Sequence, residues 1–209
     1  MNPAPQVHWD AVYREKDEAQ TSWYRPHLVE SLRLIDLRRL KPEAAVIDIG
    51  GGRATFVDDL LARGFRDVSV LDLSEVALAQ ARQRLGANAR LVQWIVGDVT
   101  EVALPAAHYG LWHDRAAFHF LTEAQQRSRY VAAAERAVRP GGLALIATFA
   151  PEGPERCSNL PVCRYDAMML EAMFAPAFEL AETTRHVHVT PDGRPQPFVH
   201  VVLRRRSDA

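Results

Sequence analysis

The hydrophobic positions of this chain fall into two rhythms that take turns. Leu28, Leu32 and Ile35, with Leu34 and Leu37 beside them, recur at helical spacing, so a helix is predicted from Pro26 to Leu40. Pro26 suits its first turn, and Pro42 ends it. Ala44 to Ile49 is instead a short, mostly apolar run followed by glycines, the pattern of a buried strand. Arg53 to Arg63 returns to helical period through Phe56, Val57, Leu60 and Leu61, and Gly64 stops it. Val68 to Leu73 reads as a second strand, and Ser74 caps a helix that runs to about Leu85. Arg90 to Val96 and Tyr109 to His113 read as the third and fourth strands. Thr122-Glu-Ala-Gln125 has the form of a capping box for a helix reaching Val138. Pro140-Gly141-Gly142 reads as a turn, and Leu143 to Phe149 as a fifth strand.

Strands that alternate with helices imply crossover units, and hence a parallel sheet with helices on both faces. The C-terminal end breaks the pattern. Phe178 to Thr190 and Pro197 to Arg205 are two extended runs joined by Pro191-Asp192-Gly193-Arg194, a hairpin signal. The predicted fold is therefore α/β, with three α/β/α layers around a mixed sheet that is mostly parallel and ends in an antiparallel hairpin. At 209 residues one domain is expected over 1–209. Its parts would be an N-terminal segment at 1–25, a core at 44–149, and a final helix and hairpin within 150–209.

Composition narrows the partners. A net charge of −1 lacks the basic surplus of a dedicated nucleic-acid binder, and Arg204-Arg205-Arg206 reads as a solvated strand end. Two cysteines, Cys157 and Cys163, make no disulfide framework, so a reducing cytoplasm is the expected setting. Met1 to Gln6 has no basic stretch leading into an apolar one, so no signal peptide is expected. Apolar runs such as Gly142 to Ala147 fall far short of the ~20 residues of a membrane helix, so no membrane partner is expected.

The candidate chemistry starts at Val46-Ile-Asp-Ile-Gly-Gly-Gly-Arg-Ala54, where a strand ends on a carboxylate and Gly50, Gly51 and Gly52 follow. A phosphate-cradling P-loop would need a lysine after the last glycine, and none is there. A nicotinamide fingerprint matches Gly50 and Gly52 but meets Ala54 or Thr55 where a third small residue is wanted, so that reading stays open. A third reading is a neutral adenosine with an amino-acid tail. Asp48 could then receive an ammonium group, while it would repel a pyrophosphate, and bare backbone at Gly50 and Gly52 would let the ligand approach closely. Asp72 ends the second strand, where a carboxylate can accept from both ribose hydroxyls. Asp98 ends the third strand, where it can meet the adenine amino group while the N–H of Val99 donates to a ring nitrogen. Each acid alone could be a cap or turn residue; together they line one crevice at the carboxyl ends of the strands.

With those residues in view, Val46-Ile-Asp-Ile-Gly-Gly-Gly-Arg-Ala54, Val70-Leu-Asp-Leu-Ser74, Val96-Gly-Asp-Val99 and Arg139-Pro-Gly-Gly-Leu-Ala-Leu-Ile146 resemble the successive motifs of class I S-adenosylmethionine-dependent methyltransferases. The resemblance covers residues 44 to 149, and it implies a Rossmann-like fold with S-adenosylmethionine as cofactor and S-adenosylhomocysteine as product. It implies that Asp48, Gly50 and Gly52 meet the methionine part, Asp72 the ribose, Leu73 the adenine face, and Asp98 with Val99 the adenine edge. It also implies a lid at residues 1–25 and a substrate-side loop at Asp114, beside the reacting methyl, with Asp114 as a candidate cofactor contact and catalytic group.

Acceptor chemistry is less defined. Asp114-Arg115-Ala-Ala is similar to the Asp-Arg-Gly-Ala loop of thiopurine-type S-methyltransferases, which would let Arg115 meet an anionic group on the substrate; a local ion pair is the alternative. His113 and His119 are candidate bases by residue type, with His119 preferred because it follows the strand, and core roles are the alternative for both. Trp9 and Tyr13 lie one helical turn apart, and Trp23-Tyr24 follows; this segment is predicted to cover the cofactor, with Trp9 and Tyr24 closest. Cys157 is a candidate substrate contact or a buried small residue. Cys157, Cys163, His186 and His188 match no common zinc spacing, and no metal is assigned. The expected reaction is methyl transfer to sulfur, nitrogen or oxygen of a small molecule, with a protein-lysine methyltransferase and an NAD-dependent oxidoreductase as alternatives.

Overall fold

A computed structural model of the chain describes residues 5–207. Residues 1–4 of the predicted N-terminal segment, and most of the stretch read for a signal peptide, lie outside the described residues. The elements are α1 (Pro5–Glu15), α2 (Val29–Leu37), β1 (Val46–Ile49), α3 (Phe56–Ala62), β2 (Val68–Asp72), α4 (Glu75–Leu85), β3 (Val92–Val96), β4 (Tyr109–Arg115), α5 (Ala124–Ala137), β5 (Val138–Phe149), the short pair β6 (Arg156–Cys157) and β7 (Leu160–Pro161), α6 (Ala167–Phe174), β8 (Phe178–Val189) and β9 (Pro195–Arg205).

Seven strands form one sheet in the order β3-β2-β1-β4-β5-β9-β8. The first five are mutually parallel, and β9 runs antiparallel to both β5 and β8. The order reverses at β1, so the crevice at the carboxyl ends of β1 and β4 is the place where such sheets take ligands. Two apolar layers clamp the sheet. Val46, Val70, Leu111 and Leu145 face Leu32 and Ile35 of α2 and Phe56 and Leu60 of α3. Ile47, Trp112, Ile146 and Val201 face Tyr130 of α5 and Leu170 and Phe174 of α6. Strand residues of opposite parity serve opposite layers, as the two-residue period of a strand demands.

Several boundaries differ from the sequence reading for local reasons. The capping box of α5 is formed by Glu123 and Gln126, one residue later than predicted. The carbonyls of Leu121 and Thr122 are held by Arg127, which keeps Thr122 outside the helix. Pro140-Gly141-Gly142 is not a free turn. It is absorbed into β5, with Gly141 at φ +74° and Val138 paired to Tyr109 across a register shift. The Ser74 cap is as predicted, its hydroxyl accepting from the Ala77 N–H at 3.1 Å.

Candidate active site

The floor of the crevice is the loop after β1. Gly50 and Gly52 have φ of +64° and +50°, a region that costs an L-residue about 1–2 kcal/mol. A Cβ on Gly50 would lie 2.6 Å from the Cβ of Ala117, and one on Gly52 would lie 2.5 Å from the Tyr13 hydroxyl and 3.2 Å from Asp72 Oδ2. The N–H groups of Gly50 and Gly51 both donate to the Leu71 carbonyl, which ties the loop to the end of β2.

Three acids stand along the rim. Asp48 is buried beneath Gly51, and strand register sets it opposite His113. Its Oδ1 lies 2.6 Å from His113 Nδ1, and His113 Nε2 lies 2.8 Å from the Ser31 hydroxyl. The Phe56 ring lies against the imidazole at 4.0 Å between centroids. His113, a candidate base in the sequence, is therefore a brace that holds Asp48 in one orientation. Asp72 is also buried, and its Oδ1 accepts from the Ser74 N–H at 2.8 Å. Burial, with a smaller push from Asp48, raises its pKa to about 7, against the pull of the Ser74 and Gly52 N–H groups. Asp98 is half-buried, its Oδ1 accepting from the Thr100 N–H at 2.8 Å. The Gly97 N–H donates to the Asp72 carbonyl, so the ends of β2 and β3 are joined. Leu73, directly after β2, is half-buried, and Val99 packs against the core.

The roof is aromatic. The Tyr13 side chain is buried with its hydroxyl over Gly52, and Trp9, Trp23 and Phe120 close around it. Ring centroids are 5.0 Å apart for Trp9–Phe120, 5.9 Å for Trp9–Trp23 and 6.1 Å for Tyr13–Trp23. Polar links moor α1 to the core: the Ser74 hydroxyl donates to Asp10, Gln80 donates to the Tyr13 carbonyl, and Arg53 donates to the Lys16 carbonyl. Trp9, expected from the sequence beside the cofactor, packs in this aromatic roof. Tyr24 is half-buried and outside this cluster among the described contacts; Tyr13 takes its place. The Trp9–Tyr13 spacing carried that signal, but nothing local marked Trp23 or Phe120.

The acceptor-side residues divide. Asp114 points away from the crevice into the α5 layer, which corrects its reading as a cofactor contact and catalytic group. It is fully buried; Oδ1 accepts from the Ala117 N–H, and Oδ2 accepts from the Phe118 N–H and the Tyr130 hydroxyl. Burial raises its pKa to about 6 against those bonds. Arg115, of opposite parity, emerges on the α2 side. One guanidinium N–H donates to the Trp23 carbonyl at 3.1 Å, and the group lies 5.2 Å from the Phe198 ring centroid. Burial and then Arg25 lower its pKa to about 10. Cys157 is buried among Phe149, Phe198 and Trp23, and burial raises its thiol above the ordinary value, so it stands protonated near neutrality. His119 is fully buried, 4.6 Å from the rings of both Phe149 and Phe120, and neither ring nitrogen has a hydrogen-bond partner among the described residues. Burial and Arg115 lower its pKa to about 3, which makes it a neutral and weakly basic part of the wall.

A crevice with bare backbone, a buried carboxylate at the second strand end and an aromatic roof fits S-adenosylmethionine, whose sulfonium is attracted to aromatic faces. Residues 46–142 match the family of proteins described as a methyltransferase domain. That stretch runs from β1 into β5 and carries the glycine loop and all three rim acids, so the part of the chain that builds the crevice is the part similar to a methyltransferase domain. The chain is similar to the Mus musculus eEF1A lysine and N-terminal methyltransferase, at 24% identity over 149 residues, or 68% of this chain and 21% of that protein. The chain thus spans about a fifth of that relative's length. Among solved structures, one on the conversion of a disulfide bond into a thioacetal group during echinomycin biosynthesis has a TM-score of 0.79 at 21% identity, covering 99% of this chain and 94% of that one. The Burkholderia thailandensis 1,6-didemethyltoxoflavin-N1-methyltransferase, with bound 1,6-didemethyltoxoflavin and S-adenosylhomocysteine, has a TM-score of 0.71 at 21% identity, covering 99% and 93%. These likenesses bear out the mixed-sheet Rossmann-like fold. Among the described residues no helix is long and apolar enough to cross a membrane.

Proposed function

We propose that the protein methylates a sulfur, nitrogen or oxygen atom of a small-molecule acceptor. The observation that carries this reading is enclosure. The aromatic arm closes over the glycine loop, and beside it lies a hollow of about 260 Å³ between α2 and the final hairpin. That volume is near the lower end of small-molecule sites, which begin at about 300 Å³.

When bound, S-adenosylmethionine supplies an activated methyl on a sulfonium. The chain then has to align and enclose, and alignment alone can lower such a barrier by roughly 7–11 kcal/mol. In this reading Asp48, held by His113, meets the ammonium of the amino-acid tail. Asp72 accepts from the ribose hydroxyls, Leu73 lies against the adenine, and Asp98 with the Val99 N–H reads its edge. Residues 5–25 form a lid. Tyr13 fills the space over Gly52, so the arm shifts to admit cofactor and closes again to exclude water. Arg115 and Cys157 stand on the acceptor side. Proton removal by His119 fits poorly with its low basicity, so acceptors that need little help, such as thiols or neutral amines, are favoured.

The relatives named as eEF1A lysine methyltransferases support a second reading, transfer to a protein lysine. The hollow argues against it, because Arg25 and Arg115 line it and would repel a lysine ammonium. The deciding experiment offers thiols, amines and phenols, and separately elongation-factor protein, to the enzyme with methyl-labelled cofactor. Label in a small molecule supports the proposal; label in the protein alone overturns it.

A further inference from the structure

The hollow beside the lid has an unusual charge balance. Arg115 makes one hydrogen bond, to the Trp23 carbonyl, and Arg25 donates through Nε to His188 Nδ1 at 2.8 Å. Among the described residues neither guanidinium has a carboxylate within 4.0 Å. Glu30, which also lines the hollow, is turned to Arg33 at 3.1 Å and towards His186 at 3.8 Å. Asp48 is near enough to be felt at Arg115, but its Oδ1 is bonded to His113.

The neighbouring histidines do not add to the positive charge. His188 accepts from Arg25 on Nδ1, so its Nε2 carries the proton, which it donates to the Ser22 carbonyl at 2.7 Å. His200 is 3% exposed, and its Nδ1 has no partner among the described residues. Burial lowers both rings well below the ordinary histidine value, to about 4 and about 3. Two guanidinium groups thus share a partly shielded space, and the carboxylate in its wall, Glu30, is engaged by Arg33 and His186 rather than by either of them. A cation held away from water without an anion beside it is costly, and Arg115 is one, so an anion entering the hollow would relieve that cost. Leu28, Val29 and Phe198 give the hollow apolar walls, and at its rim His27 is paired with Asp59 at 2.9 Å.

We infer that this hollow binds the acceptor through an oxyanion, a carboxylate or phosphate carried on a small apolar body. The inference rests on the small-molecule reading above and adds the substrate class. The planar fork of Arg115 suits two parallel bonds to such a group, with Arg25 and the His200 ring as further donors. The place is right for transfer. Arg115 is two residues before Ala117, which faces Gly50, and Ser31 in the hollow's wall is bonded to His113, which holds Asp48. The rival source of an oxyanion is the carboxylate of the cofactor itself.

The test uses the full chain saturated with S-adenosylhomocysteine and titrated calorimetrically with benzoate and with phenyl phosphate. At least one probe is expected to bind one to one, and Arg115→Gln and Arg25→Gln are each expected to weaken it at least tenfold. The affinity for S-adenosylhomocysteine should stay within twofold in both variants. Arg25 is half-buried, so Arg25→Gln keeps the test open if Arg115→Gln fails to fold. The inference is overturned if neither probe binds or if binding ignores the arginines. It is equally overturned if S-adenosylhomocysteine affinity falls tenfold, which would give the pair to the cofactor's carboxylate. Binding is read without turnover, so a failed acceptor screen sinks the proposed function separately.

Discussion

Asp72 should make cofactor binding depend on pH. Its carboxyl is buried under Tyr13 and beside Asp48, and its pKa rises to about 7. Ribose hydroxyls donate, so only the ionised carboxylate can accept from both. Binding at acid pH must therefore first remove a proton. With a pKa of about 7, roughly one-tenth of the protein is ionised at pH 6 and roughly nine-tenths at pH 8. The dissociation constant for S-adenosylhomocysteine should then be about tenfold larger at pH 6 than at pH 8, or about 1.4 kcal/mol. Titration calorimetry from about pH 5.5 to 8.5 reads this directly. Asp72→Asn should weaken binding at pH 8 and remove the step. Tyr13→Ala, which lets water reach the carboxyl, should move the midpoint towards acid. The same shift has a stability signature of opposite benefit. The folded carboxyl holds its proton from its ordinary 3.8 up to about 7, so the fold loses stability as pH rises through that window. Asp72→Asn should accordingly raise the unfolding midpoint at pH 8 and leave it nearly unchanged at pH 4. A flat affinity profile in the wild type, or a variant that binds as well as wild type at pH 8, would refute the ribose assignment.

Three further outcomes follow from named contacts. Gly52→Ala puts a methyl 2.5 Å from the Tyr13 hydroxyl at a φ of +50°, so S-adenosylhomocysteine affinity should fall at least tenfold, with partial recovery on adding Tyr13→Phe; binding within twofold of wild type would show that the loop is no cradle. His119 titrates near 3, so kcat should show no inflection attributable to it between about pH 5 and 8, and an inflection near 6.5 abolished by His119→Asn would restore it as a base. Asp114→Asn sets an amide N–H against the donors of Ala117, Phe118 or Tyr130 and should cost about 1–3 kcal/mol in chemical denaturation while leaving cofactor affinity within twofold. A loss of affinity with full stability would return Asp114 to the cofactor.

Much of this was legible in the chain because it depends on local pattern. Period changes located the strands and helices of the core, and three acids at successive strand ends marked the rim. What stayed hidden depends on pairing between distant segments. Asp114 was placed by loop position, whereas its direction is set by strand parity: it shares a face with Trp112, so it turns to Tyr130 and the core. His113 became a brace because the register of β1 and β4 sets it opposite Asp48. Tyr13 lies over Gly52, and Tyr24 does not, because Asp10 bonds Ser74 and Gln80 bonds the Tyr13 carbonyl across more than 60 residues of chain. The weak basicity of His119 follows from burial between Phe149 and Phe120, which no spacing announced.

In the proposed function the acidic rim of β1, β2 and β3 receives S-adenosylmethionine beneath the aromatic arm. A crystal structure with S-adenosylhomocysteine tests it most directly. The ligand is expected over Gly50 to Gly52, its ribose hydroxyls on Asp72, its adenine edge at Asp98 and Val99, and aromatic side chains of the arm closed above it. A ligand seated elsewhere, or one whose ribose is held by another residue while Asp72 stays protonated and unengaged, would contradict it.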